Sequence, residues 1–121
     1  MGVSRTAVWK QLQTLEAMGL QLESVKGKGY KIPDNFELLD ANQIPTDLSA
    51  VCKQYLNGLH IYQTIDSTNK AANQLIEAQS NSASGAVVLS EYQTMGRGRR
   101  GKSWVSPFAA NLYLSMVWDF D

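Results

Sequence analysis

One cysteine, one histidine and three prolines are all that the 121 residues hold of those types. Cys52 alone cannot close an internal disulfide, which points to a reducing, cytoplasmic setting. His60 has no second histidine and no cysteine cluster to work with, so a metal site or a Ser/His relay is set aside and His60 is read as structural. No apolar run approaches the roughly 20 residues of a membrane span. Met1-Gly2-Val3-Ser4-Arg5 lacks the apolar stretch of a signal peptide. Net charge is missing too, since eleven Lys and Arg balance eleven Asp and Glu. There is no internal repeat and no low-complexity tract.

What is present is core-forming material. Hydrophobic residues make up 44% of the chain, with three Trp and five Tyr, so disorder is not expected over most of its length. The balanced charge is unevenly spread. Residues 1–33 hold Arg5, Lys10, Lys26, Lys28 and Lys31 against Glu16 and Glu23, a net of +3. Residues 34–90 hold six acids against Lys53 and Lys70, a net of −4. Residues 91–104 return to +3 through Arg97, Arg99, Arg100 and Lys102 against Glu91. Two basic islands around an acidic stretch suggest two anionic partners.

In the first island Ser4 is a good helix N-cap, Val8, Leu12 and Leu15 follow at helical spacing, and Gly19 stands where a helix would close. The spacing predicts a helix over Arg5–Met18. Its other side carries Arg5, Thr6, Trp9, Lys10 and Gln13, a face suited to the major groove of DNA. Leu20–Val25 and Tyr30–Pro33 alternate on either side of Lys26-Gly27-Lys28-Gly29 and predict a β-hairpin with Lys26 and Lys28 at its tip. Helix, glycine, strand, basic tip and strand match the recognition helix and wing of a winged helix-turn-helix. On composition alone, an amphipathic helix and hairpin with solvated charges is an equal reading, because +3 is small for a DNA binder. A helix-turn-helix also needs helices before its recognition helix, and only Met1-Gly2-Val3 precede the Ser4 cap of this one, so a truncated front is expected.

Residues 34–57 read as a connector in which Asp40–Ile44 could open a short helix. Leu59–Ile65 then reads as a strand. Asp66-Ser67-Thr68-Asn69 ends it and opens a helix carrying Ala71, Ala72, Leu75 and Ile76 on one side. Four capping residues in a row are either an N-cap cluster or a place where polar side chains and free amides meet a polar or anionic ligand. Strands are predicted over Gly85–Tyr92 and Asn111–Trp118, the second apolar on both faces. Between them lies Gln93-Thr94-Met95-Gly96-Arg97-Gly98-Arg99-Arg100-Gly101-Lys102-Ser103-Trp104. Its glycines free the backbone for close approach, and its arginines offer paired donors for phosphate or carboxylate. Such a loop could close over an acyl phosphate. The spacing fits neither a P-loop nor a dinucleotide fingerprint. By itself, Gly-Arg-Gly-Arg-Arg-Gly is more simply read as a solvated basic turn or a nucleic-acid patch.

The pieces occur in one order: Ile65-Asp66-Ser67-Thr68-Asn69, Glu91-Tyr92-Gln93, Gly96-Arg97-Gly98-Arg99-Arg100-Gly101, Trp104, and Ser106-Pro107-Phe108 before Asn111-Leu112-Tyr113-Leu114-Ser115. That series resembles the front of the catalytic domain of biotin–protein ligases. Ser4-Arg5 and Gly27-Lys28-Gly29-Tyr30 resemble the bifunctional branch that is also a biotin-operon repressor. The resemblance implies an α+β chain: a partial winged helix-turn-helix at 1–33, a connector at 34–57, and the first part of a mixed α/β ligase catalytic domain at 58–121.

It further implies a chemistry. Biotin's carboxylate attacks the α-phosphate of ATP, with Mg2+ expected alongside, to give biotinyl-5′-AMP. A lysine of a carboxylase's biotin carboxyl carrier domain then takes the biotinyl group. Ser67, Thr68, Asn69 and Gln93 are expected to bind biotin. Arg97, Gly98 and Arg99 are expected in the loop over the adenylate, the two arginines acting catalytically, with Trp104 packed against the closed loop. Operator DNA, through Arg5, Thr6, Trp9, Lys10, Gln13, Lys26 and Lys28, and a homodimer of the full-length protein are the other implied partners. No membrane and no protein-bound metal are expected.

Two departures stand out. Ala109 occupies a usual glycine position of the family, which suggests a small packing change. The family's Lys-Trp-Pro-Asn-Asp strand is absent, and no lysine follows Lys102. The chain is therefore expected to be a fragment cut at both ends, inactive alone. The alternatives are a non-catalytic, biotin-sensing DNA-binding regulator and, more distantly, a lipoate-ligase-like acyl transferase.

Overall fold

The computed structural model describes residues 2–34, 36–105 and 107–120. Helix α1 (Arg5–Ala17) begins where the Ser4 hydroxyl accepts from the Ala7 amide at 3.2 Å. It closes through Gly19 at φ +99°, with the Gly19 N–H on the Glu16 carbonyl and the Leu20 N–H on that of Leu15. This glycine-dependent cap turns Leu20 inward, to 8% exposure. The strand expected from Leu20 is therefore shorter: β1 is Glu23–Val25, because the residues before it complete the helix end. It pairs antiparallel with β2 (Gly29–Lys31), Ser24 opposite Tyr30. Trp9 lays its ring against Tyr30, centroids 5.3 Å apart, and so ties helix to hairpin. No residue of α1 is buried, and Val8 is exposed.

In the connector, Asp40 rather than the formal cap Asn42 satisfies the start of α2 (Gln43–Asp47), accepting from the amides of Asn42 and Gln43. Pro45 is tolerated there because first-turn amides have no partner within the helix. A further helix, α3 (Ala50–Tyr55), was not expected. The Ser49 hydroxyl caps it from the Cys52 amide, and Tyr55 packs its ring against Trp118 at 5.8 Å.

Strand β3 (Leu59–Ile65) leads into α4 (Thr68–Gln79) and, after a 3-10 turn, into β4 (Val87–Gln93). A short hairpin of β5 (Gly96–Arg97) and β6 (Ser103–Trp104) precedes β7 (Tyr113–Met116). The main sheet runs β3-β4-β7, with β4 parallel to β3 and antiparallel to β7. Small residues let α4 lie close on one face, where Ala71, Ala72, Ala83, Ala86, Val88 and Val117 form the core with Ile65 and Leu75 against it. The last strand departs from expectation in length and burial. The strand proper is Tyr113–Met116, with Val117 bonding on to Gly85 and Ala86, and Leu114 and Met116 stay exposed on the face opposite α4. A helix and hairpin followed by a helix-backed mixed sheet is an α+β chain.

Candidate ligand site

The end of β3 and the start of α4 place the polar run. Ser67 and Thr68 are buried, at 8% and 4% exposure, although both are polar. The Thr68 amide and hydroxyl both donate to Oε1 of Gln93 on β4, at 2.8 and 3.1 Å. The Thr68 oxygen also lies 2.9 Å from the Ser115 hydroxyl on β7. A hydroxyl has one proton; with that of Thr68 given to Gln93, Ser115 is the donor to Thr68. Three elements therefore meet at one threonine.

Asp66 serves the turn around it. It accepts from its neighbour's amide, that of Ser67, at 3.1 Å and from Nζ of Lys70 at 2.6 Å, and these bonds hold its carboxyl below the ordinary value, the Lys70 bond most. The Ser67 hydroxyl accepts a long bond from the Lys70 amide, which is N-capping behaviour.

The arginine-rich segment is folded back as the β5–β6 hairpin, not an open loop. Its entry is pinned by the Thr94 amide on the Ile65 carbonyl and the Met95 amide on that of Asp66. Its tip closes by a 2.7 Å bond from the Gly98 amide to the Lys102 carbonyl, with Arg100 turned to φ +60°. Arg97 and Arg99 are exposed, and among the described residues neither has a carboxylate within ion-pair distance. On its exit side Tyr113 donates to the Pro107 carbonyl at 3.0 Å.

These parts border one cavity of about 410 Å³. Ser67, Thr68, Asn69, Gln93, Arg97, Gly98 and Arg99 all line it. The Trp104 side chain lies outside the described residues. Leu112, Tyr113, Leu114 and Ser115 also line the cavity, though the sequence singled out none of them as a binder. The available signal was Tyr113 and Ser115 themselves, two polar side chains at i, i+2 in an apolar strand and hence on one face. The cavity is polar at the α4 end and cationic at the hairpin, a shape for a ligand with a hydrogen-bonding head and an anionic tail. Among the described residues no three His, Cys, Asp or Glu side chains gather as a metal site.

The other basic group stands apart. Arg5, Thr6, Trp9, Lys10 and Gln13 are exposed along α1, and Lys26 and Lys28 are exposed at the hairpin tip. Gly27 at φ +76° and Gly29 at φ +110° allow that tip its tight turn. Among the described residues no helix is long and apolar enough to cross a membrane.

Against models of known families, residues 1–31 match one described as an HTH domain, and residues 61–121 match the biotin/lipoate A/B protein ligase family. The chain is similar to the bifunctional ligase/repressor BirA of Salmonella typhimurium, 42% identical over 118 residues that cover 98% of this chain and 34% of that protein. The Escherichia coli protein of the same name gives the same identity and coverage. That of Bacillus subtilis is 33% identical over 119 residues, 97% of this chain and 35% of its own length. The chain thus spans about a third of the length of these curated relatives.

Proposed function

Because the chain belongs to the biotin/lipoate A/B protein ligase family, we propose that its cavity holds biotin and the adenylate made from it, as part of an ATP-dependent biotin–protein ligase that also represses transcription. The observation that carries this is the convergence of Ser67, Thr68, Asn69, Gln93, Arg97, Gly98 and Arg99 on one cavity. In this reading the polar end, built on Thr68, meets the ring of biotin. The carboxylate lies toward Arg97 and Arg99, whose fixed charge offsets what builds on the α-phosphate as the carboxylate oxygen attacks and pyrophosphate, with its Mg2+, departs. The amine of a carrier-domain lysine then attacks the acyl carbon and AMP leaves.

The helix–hairpin half is assigned to operator DNA, with lysines of the tip on phosphates and Gln13 on base edges. A homodimer and a cytoplasmic location complete the proposal; Cys52, exposed and unpaired, fits a reducing compartment. The alternative is a regulator that senses biotin without catalysis.

Amide spectra of the chain titrated with biotin test the site, since binding as weak as about 1 mM is visible that way. Shifts centred on Thr68, Gly98 and Ser115 are expected. Shifts elsewhere, or none, would overturn the assignment. Incubation of a full-length protein carrying these residues with ATP, biotin and a carrier domain separates the two readings.

A further inference from the structure

Residues 1–33 contain two aromatic side chains, Trp9 and Tyr30, and the two meet. Trp9 lies midway along α1, one turn from Arg5 and one turn from Gln13, so its ring stands in the polar stripe read as facing DNA. Tyr30 lies at the centre of β2, opposite Ser24. The ring centroids are 5.3 Å apart and the planes are tilted by 42°, a separation at which aromatic rings attract. Every residue of β1 and β2 is exposed, so the strands bring no buried side chain with which to fix their angle to the helix. A two-stranded hairpin by itself is marginal in water. The Lys31–Asp34 ion pair is exposed as well and contributes little. The tip is closed by the Lys28 amide on the Val25 carbonyl at 2.9 Å, and Tyr30 follows two residues later.

We infer that Trp9 is a positioning residue: its ring, held on Tyr30, fixes the hairpin against α1 and so sets where Lys26 and Lys28 stand relative to Gln13. Trp9 keeps 42% exposure and Tyr30 45%, so the pair is a strut on the surface and not a piece of core. Such a strut lets two short, exposed strands present their tip lysines in a fixed place. The indole carries no charge, yet it governs a charge-dependent contact. Without it the tip lysines are free to leave the phosphates, and ordering them becomes a cost of binding. The role at DNA rests on the function proposed above for this half, whereas the joint between the two rings does not depend on it.

The test has an arm without DNA and an arm with it. In the 121-residue chain, spin labels at Glu16→Cys and Lys28→Cys in a Cys52→Ser background report the angle of the hairpin. Trp9→Ala and Tyr30→Ala are each expected to broaden the distance distribution, and Trp9→Phe, which keeps a ring, to narrow it again. In a full-length protein carrying these residues, binding to a random-sequence duplex is titrated at several salt concentrations. Trp9→Ala is expected to weaken binding about tenfold and to flatten the salt dependence by roughly one to two charges, although no charge is removed. Trp9→Phe should restore most of that slope. With Lys26→Ala and Lys28→Ala already present, Trp9→Ala should change affinity by less than about twofold, because its effect passes through those lysines. Weakened binding in Trp9→Ala with an unchanged salt slope would overturn the positioning role in favour of direct contact with DNA. Distance distributions unmoved by both alanine variants would refute the joint itself. A wild-type protein that binds no duplex would sink the DNA reading and the role at DNA with it, while the labels alone would still decide the joint.

Discussion

The hydroxyl oxygens of Thr68 and Ser115 lie 2.9 Å apart, joining the first turn of α4 to the edge strand β7 in the wall of the cavity that both line. Both partners are polar groups in a largely buried place, so removing one leaves the other short of a bond. Thr68→Val keeps the shape and deletes the hydroxyl. It is expected to cost about 1–2 kcal/mol of stability and to weaken biotin binding about tenfold. Thr68→Ser should recover most of both. Thermal melts beside ligand titrations check this, and wild-type affinity in Thr68→Val would remove Thr68 from the site.

Arg99 is exposed, pairs with no acid among the described residues and lines the cavity. It contributes little to the core, while a charge-assisted contact to a phosphate or carboxylate is worth roughly 1.5–3 kcal/mol. In a ligation-competent protein carrying these residues, Arg99→Ala should lower adenylate formation or retention by about tenfold to a hundredfold, with little change in melting temperature. Pyrophosphate release and adenylate lifetime are the measurements. Unchanged values for both would exclude a catalytic role.

How much of this was legible in the sequence depends on how local each feature is. The turn at Asp66–Asn69 was, because four capping residues between an alternating strand and an amphipathic helix constrain their own backbone. The helix over Arg5–Met18 was also legible, since Ser4 and Gly19 mark its ends; only the terminal Met18 became the cap. Ser115 was not, because its nearness to Thr68 depends on β7 folding back against β4, with Val88 opposite Ser115, a register that no local pattern fixes. Helix α3 escaped for a different reason. Six residues are too few to show a helical period, and Ser49 is the sole local signal.

On the helix–hairpin half, for which DNA binding is proposed, Lys28 is exposed at the hairpin tip and Gln13 on the open surface of α1. A tip lysine meets phosphate and a helix-face glutamine can reach base edges. Lys28→Ala is expected to weaken binding about equally on all sequences and to flatten the salt dependence by roughly one charge. Gln13→Ala should blunt discrimination between operator and random duplex. Titrations at several salt concentrations decide it, and an unchanged salt slope in Lys28→Ala would refute the wing assignment.

The Asp66–Lys70 pair gives a pH dependence with a defined sign. Asp66 has a lowered carboxyl in the folded chain, chiefly through its bond to Lys70. Its contribution to stability is therefore present in full above about pH 4 and is lost as pH falls through the lowered folded value. Lys70→Met should raise the Asp66 titration toward the ordinary 3.8 and lessen that loss in acid. Carboxyl chemical shifts followed by pH titration measure it directly. A titration unmoved by Lys70→Met would mean that the Ser67 amide, and not the lysine, sets the carboxyl.

Ala109 stands at φ +51°, in the left-handed region that glycine occupies freely. Replacing a usual family glycine by alanine thus changes the backbone more than the packing. The amide of Ala109 must still reach the Glu91 carbonyl, and its neighbour Phe108 must still reach Met18, so the chain cannot relax out of that conformation without losing both bonds. An L-residue held there costs roughly 1–2 kcal/mol. Glycine relieves the strain but gives back about 0.4–1 kcal/mol through its freer unfolded chain. Ala109→Gly is therefore expected to stabilise by about 0.5–1 kcal/mol, a rise of roughly 2–5 °C in Tm. Ala109→Val, branched at Cβ, should lower stability by at least about 1 kcal/mol at the same position. Parallel thermal melts of the three chains are enough to decide. A glycine variant that melts below the alanine chain would show that residue 109 does not carry the strain assigned to it.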